Sequence, residues 1–136
     1  EYLDTAKRVQ AEFMNFKKRN QNSIADAWVS ATNETVQSFL PVLDNIERAL
    51  EASDKADDEN IVKGLTMVLK QFYDIFASLE IKEINALHES FDPNFHNAVM
   101  QEEVEGYAEN TVTNVLQKGY IRKEKVLRFS MVKVSK

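Results

Sequence analysis

Tyr2-Leu3-Asp4-Thr5-Ala6-Lys7-Arg8-Val9-Gln10-Ala11-Glu12-Phe13-Met14-Asn15-Phe16-Lys17-Lys18-Arg19-Asn20 places apolar residues at Tyr2, Ala6, Val9, Phe13 and Phe16, in steps of 4, 3, 4 and 3. That is heptad spacing, the pattern of a helix that pairs along a narrow seam. The next seam position, Asn20, is polar. It reads equally as a polar residue tolerated in the seam or as a pin that fixes register and oligomeric state. Beyond it the seam continues through Ile24, Ala27 or Trp28, Ala31, Thr35 and Phe39, with the drift that a stutter produces. About 38 helical residues span roughly 57 Å. One narrow stripe on a helix of that length cannot bury itself, and the simplest partner is a second copy of the chain.

Working outward, Pro41 lacks an N–H and clashes with the preceding turn, so it predicts a kink or short break before it. Leu40, Leu43, Ile46, Ala49 and Leu50 share one face, opposite Asp44 and Glu47 to Arg48, so helix resumes and ends near Ala52. The polar run Ser53 to Asn60 reads as a loop, with Asp57 or Asp58 capping the next helix. That helix carries a broad stripe of Ile61, Leu65, Val68, Leu69, Phe72, Ile75, Phe76 and Leu79, which suits a bundle. Gly64 lies inside it, explained by close packing against another backbone or simply tolerated.

After Leu79 the character changes. Ile81, Ile84, Val99, Val104, Val112, Val115, Val126, Val132 and Val134 bring β-branched density. Short strands are expected at Ala98 to Gln101 and Val112 to Leu116. Lys118 to Val126 reads as strand, turn and strand. Arg128 to Ser135 reads as one further strand, with Phe129, Met131 and Val134 on different faces around a slip. The whole predicts a compact β module over residues 81–136.

Composition narrows the function. Of 136 residues, 43% are apolar and 29% charged, which suits a folded chain. With 3 Gly and 2 Pro, turns are few and helices long. The absence of Cys excludes disulfides, thiolate metal sites and thiol catalysis, and points most simply to a reducing compartment. A net charge of −5 argues against general nucleic-acid binding. There is no apolar run long enough to span a membrane and no apolar signal core. The chain starts mid-pattern at Glu1, which predicts a segment before it.

Candidate chemistry is sparse. His88, Glu89, Asp92 and His96 are the densest set of possible metal ligands, but Pro93 sets a turn that removes helical ligand spacing. No nucleophile elbow, phosphate loop or dinucleotide fingerprint occurs, so no catalytic residue and no cofactor is expected. Lys17-Lys18-Arg19 is either a solvated face or a handle for an acidic partner. Lys118, Arg122, Lys123, Lys125, Arg128, Lys133 and Lys136 make the end of the chain basic. Charge-protected strand edges explain them as well as RNA binding does.

Several strings together match one family. They are Gln10-Ala11-Glu12-Phe13 with Asn15-Phe16-Lys17-Lys18-Arg19, and Phe39-Leu40-Pro41-Val42-Leu43-Asp44-Asn45-Ile46-Glu47-Arg48-Ala49-Leu50. They continue with Phe91-Asp92-Pro93-Asn94-Phe95-His96-Asn97-Ala98-Val99, Asn110-Thr111-Val112, Val115-Leu116-Gln117-Lys118-Gly119-Tyr120 and Val126 to Ser135. In this order, over nearly the whole chain, they resemble GrpE, the nucleotide exchange factor family of DnaK-type heat-shock chaperones.

The resemblance implies an α+β fold and a parallel homodimer. Residues 1–38 would form a coiled-coil stalk, residues 39–80 a dimeric four-helix-bundle segment, and residues 81–136 a β wing. Dimer contacts are implied at Val9, Phe13, Phe16, Asn20, Ile24, Leu43, Ile46, Leu50, Leu65, Leu69 and Phe72. The chaperone-facing wing surface would include Phe91, Pro93, Leu116 and Val134, with Asp92, Asn94 and His96 shaping its turn and Lys118-Gly119-Tyr120 fixing the neighbouring strands. Lys17 and Lys18 match basic contacts, and Glu51 an acidic one. Gly64 aligns with a bundle glycine. Phe91, Lys17, Lys18 and Phe129 depart from residues common in the family and leave partner specificity open.

The implied activity is to bind the chaperone's ATPase domain, open its cleft and release ADP, with no hydrolysis by the factor, no membrane and no nucleic acid involved. The implied location is the bacterial cytoplasm or an organelle matrix. The alternative is a structural coiled-coil adaptor whose β module docks another partner, and a third reading is a minor RNA-binding module.

Overall fold

The computed structural model describes residues 1–53 and 58–136. Two helices precede six strands among the described residues: α1 (Tyr2–Ala52), α2 (Glu59–Ser78), β1 (Ile81–Glu83), β2 (His96–Glu102), β3 (Val112–Gln117), β4 (Tyr120–Arg122), β5 (Lys125–Arg128) and β6 (Ser130–Ser135). The α+β class read from the sequence, a long helix and a second helix before a small β domain, is the observed one.

The expected interruption at Pro41 is absent. Helix α1 runs unbroken for 51 residues with Pro41 inside it. Proline removes one ladder bond and crowds the preceding turn, but Val36, Leu40 and Leu43 around it are all buried in one core. Packing on both sides of the proline outweighs its local preference. The end at Ala52 is as read.

Asp58 caps α2, its carboxylate accepting the Asn60 N–H at 2.9 Å. The alternative cap, Asp57, lies outside the described residues. The helix ends as Glu80 turns into the left-handed region at φ 60 and donates its N–H to the Ala77 carbonyl. This reversal leads directly into β1.

Packing divides the chain into Glu1–Thr35 and Val36–Lys136. In the first unit every residue from Tyr2 to Ala31 is exposed. The second unit holds two cores. Val36, Leu40 and Leu43 of α1 meet Phe76, Ile81, Tyr120 and Leu127, with Leu69, Phe72 and Leu79 packed against them. One core therefore runs across the 80/81 change from helix to strand. The second core, Ala86, Val112, Val132 and Val134 with Phe91 and Val115, is internal to the β module.

The strands form two three-stranded sheets, β1-β4-β5 and β2-β6-β3. The first is antiparallel, and its β4–β5 hairpin turns through Lys123 at φ 55. In the second, β6 pairs parallel with β2 and antiparallel with β3. The strand expected over Arg128 to Ser135 is divided. Arg128 ends β5, Phe129 lies between, and β6 begins at Ser130 in the other sheet. Within β6, Ser130, Val132 and Val134 face inward and Met131 and Lys133 are half-buried. The slip in the pattern therefore marks a change of sheet. Register shifts at Ala98/Met100, Val112/Asn114 and Val115/Gln117 break simple alternation in β2 and β3 as well.

Gly119 has a steric cause. A Cβ there would lie 2.4 Å from the Ser130 N and 2.7 Å from the Arg128 carbonyl oxygen. At Gly64 a Cβ would meet nothing of this chain within 4 Å, so packing inside the chain does not require that glycine.

Candidate functional site

The turn before β2 is built by Asp92. Its Oδ1 accepts the Asn94 N–H at 2.9 Å, and its carbonyl accepts the N–H groups of Phe95 and His96 at 3.1 and 2.8 Å. The Asp92 N–H in turn donates to His96 Nδ1 at 3.0 Å. That leaves the ring proton on Nε2. His96 is buried and its ring lies 5.9 Å from that of Phe91. The pair holds Phe91 half-buried against the second core, while Pro93 and Asn94 project into solvent. Thus Asp92 and His96 frame the turn, and Phe91, Pro93 and Asn94 supply its accessible surface.

Leu116 lies on β3 and is 50% exposed, whereas its neighbour Val115 packs inward. Beside it runs a groove of about 120 Å³ lined by Asp44, Glu47, Arg48 and Glu51 of α1 and by Val115 to Lys118. Glu51 and Leu116 therefore line one concave surface that is mostly polar, with Leu116 as its exposed apolar side chain. Val134 does not belong to any such surface. It is 3% exposed, inside the second core with Val112 and Val132. As an inward position of β6 it has no face left for a partner, which corrects its assignment as a contact residue. Lys17 and Lys18 are exposed on the part of α1 that belongs to Glu1–Thr35.

Among the proposed dimer positions, Val9, Phe13, Phe16, Asn20 and Ile24 are exposed. Ile46, Leu50, Leu65, Leu69 and Phe72 are half-buried, the last two against the first core. Leu43 is 0% exposed in that core and has no surface for a second copy, so it drops out of the seam. On α2, Ile61, Met67, Val68 and Ile75 are exposed apolar residues as well. Among the described residues no three His, Cys, Asp or Glu side chains could hold a metal. His88 instead stacks on Tyr107, with ring centroids 5.7 Å apart.

A polar lattice between α1 and the β module has no counterpart in the local sequence pattern. Arg128 donates to both carboxylate oxygens of Asp44, at 2.6 and 2.8 Å, and to the Lys118 carbonyl. Gln117 donates to Asp44 at 3.1 Å, and Gln37 to the Leu127 carbonyl at 2.7 Å. Lys118 and Tyr73 both reach the Glu47 carboxylate, at 3.3 and 2.5 Å. Burial, then the Glu47 carboxylate, pushes the Tyr73 hydroxyl up to about 12. Burial pulls the Lys118 ammonium down, but the Glu83 and Glu47 carboxylates outweigh it and hold its pKa above the ordinary value. Burial, with Glu47 beside it, raises Tyr120. Its hydroxyl has no hydrogen-bond partner, and its ring packs edge-on to Phe76 at 5.3 Å.

The exposed turn, the groove beside Leu116 and the exposed apolar seam of α1 are surfaces that another chain could cover. Comparison with known proteins agrees. The GrpE family model matches residues 1–136. The chain belongs to the GrpE family. Among relatives named Protein GrpE, that of Clostridium acetobutylicum is 47% identical over 98% of this chain and 67% of its own length. That of Caldanaerobacter subterraneus subsp. tengcongensis is 42% identical over 100% of this chain and 66% of its own length. That of Syntrophobacter fumaroxidans is 45% identical over 98% and 71%. The chain thus spans about two thirds of the length of the GrpE relatives it matches. GrpE homologues are co-chaperones, nucleotide exchange factors and not enzymes. Among the described residues no helix is long and apolar enough to cross a membrane.

Proposed function

We propose that this chain is a homodimeric nucleotide exchange factor that binds the ATPase domain of a DnaK-type chaperone, opens its cleft and accelerates ADP release, in the bacterial cytoplasm. Family membership supports the class of activity. The observation that carries the site is the groove where exposed Leu116 faces Glu51 on α1. An apolar anchor beside a charged rim is the make-up of a binding hot spot. The turn at Phe91, Pro93 and Asn94 adds a second contact, and Lys17 and Lys18 on the stalk steer an acidic partner.

The mechanism is linkage. The factor must bind the open-cleft chaperone better than the ADP-closed one, so ADP and factor weaken each other reciprocally. Each tenfold loss of ADP affinity needs about 1.4 kcal/mol of differential binding. Residues of the groove and turn supply it by fitting only one cleft geometry, with no bond made or broken. The dimer supplies what a single chain lacks. A second copy along Val9, Phe13, Phe16, Asn20 and Ile24 covers a seam that is otherwise in water, and α2 packs into a bundle through its exposed face.

The test is release of fluorescent ADP from a DnaK-type chaperone as this protein is added. The expected rate climbs and saturates, and Leu116→Asp abolishes the rise while sedimentation still shows a dimer. A dimer that leaves release unchanged with two different chaperones would contradict exchange and favour an adaptor.

A further inference from the structure

Asp44 and Arg128 lie 84 residues apart in sequence and meet through two parallel bonds, Nη1 to Oδ2 at 2.6 Å and Nη2 to Oδ1 at 2.8 Å. Both side chains are largely withdrawn from water, at 15% and 19% exposure. The guanidinium is itself oriented by the Lys118 carbonyl, which accepts from Nε and Nη2. Gln117, the residue after Leu116, makes a third bond to the same carboxylate. One carboxylate on α1 is thus gripped from the end of β3 and the end of β5. Asp44 stands about two turns before Glu51 on the same helix.

The apolar core beneath this joint is non-directional and would tolerate rocking of the strands on the helix. A bidentate charged pair is directional and fixes an angle. The structure assigns Asp44 and Arg128 as positioning residues. They hold the strand bearing Leu116 at a set angle to the helix bearing Glu51, so that docking in the groove moves the bound cleft as one rigid body. This inference rests on the exchange reading. A joint without the pair still presents Leu116 and Glu51, so it docks. It yields when the cleft resists, so it does not open it.

Asp44→Asn keeps the size of the side chain and loses its charge. Arg128→Lys keeps the charge and loses the fork. Each is titrated against ADP-loaded DnaK-type chaperone, with saturating release rate and half-saturating concentration read separately. The expected saturating rate falls about five-fold in both variants, and in Arg128→Lys, which lies outside the groove lining, the half-saturating concentration stays within about two-fold. The double variant is expected to be no slower than the worse single one, because the two act as a unit. An unchanged saturating rate, a loss confined to half-saturation, or losses that multiply would overturn the assignment.

The joint can also be read without the chaperone. The chain has no cysteine, so spin labels at Ala52→Cys and Asn97→Cys, both exposed sites, are unique within it. With labelled chains diluted in unlabelled ones, the pair reports the angle between α1 and the β module. Arg128→Lys is expected to broaden this distance distribution, and an unchanged distribution would overturn the rigid joint. Wild-type protein that fails to speed release while the distribution still broadens would overturn the exchange reading alone.

Discussion

Over Glu1–Thr35, apolar side chains at heptad spacing stand in water, whereas over Val36–Lys136 they fill two cores capped by a charged lattice. The same helix, α1, contributes to both. Its later part is held by Val36, Leu40 and Leu43 within the chain, strongly enough to carry Pro41 without a break. Its earlier part buries no apolar side chain from Tyr2 to Ala31, and helix propensity alone is marginal in water. Stability in one region is therefore a property of the chain, and in the other it would come from the association proposed above.

The sharpest way to break that contrast is to charge the seam. Phe13→Asp is expected to dissociate the dimer in sedimentation and to melt the early part of α1 in circular dichroism, removing roughly 2 kcal/mol or more of burial per copy. Residues 36–136 are expected to keep a cooperative transition. In the unaltered protein, the helical loss from the stalk should move to higher temperature as concentration rises. A single transition independent of concentration would erase the distinction.

Within Val36–Lys136, Gly119→Ala drives a Cβ into the Ser130 and Arg128 backbone and is expected to cost about 3 kcal/mol in denaturant unfolding. Val134→Ala opens a void in the second core and is expected to cost about 2 kcal/mol. Leu116→Ala, on the same module but exposed, should leave stability within about 0.5 kcal/mol and lower exchange instead. Equal destabilisation by Val134→Ala and Leu116→Ala would mean that core and docking surface are not separable.

Among the buried and partnered positions, the smallest loss of stability concerns the lattice. Tyr73→Phe loses the bond to Glu47 and is expected to cost about 1 kcal/mol at neutral pH. The folded pKa of Tyr73 is raised to about 12, above its ordinary value. Its contribution is therefore complete below about pH 10 and is lost as pH rises through about 12. Unfolding measured across that window should show stability falling in the wild type and falling less in Tyr73→Phe.

Much of this was legible locally. The heptad steps from Tyr2 to Phe16 mark α1, the acidic pair Asp57 and Asp58 marks the start of α2 without choosing between its two members, and β-branched density after Leu79 marks the module. Pro41 misleads because a residue preference knows nothing of the core on either side. Val134 misleads for a different reason. Its inward direction is set by the change of sheet at Phe129, which alternation registers only as a slip. Leu43 looks like a seam residue because one apolar stripe on α1 serves the chain's own core and an outer face together. The Asp44–Arg128 pair leaves no local trace, since two charges 84 residues apart are unremarkable until the fold brings them together.

The most direct test of the account is reciprocal binding. The affinity of a DnaK-type chaperone for this protein is measured by titration calorimetry without nucleotide and with saturating ADP. The account predicts at least about tenfold weaker binding with ADP, equivalent to about 1.4 kcal/mol of coupling. Equal affinity in the two conditions would show that docking does not distinguish the open cleft from the closed one, and would contradict exchange as the function of this chain.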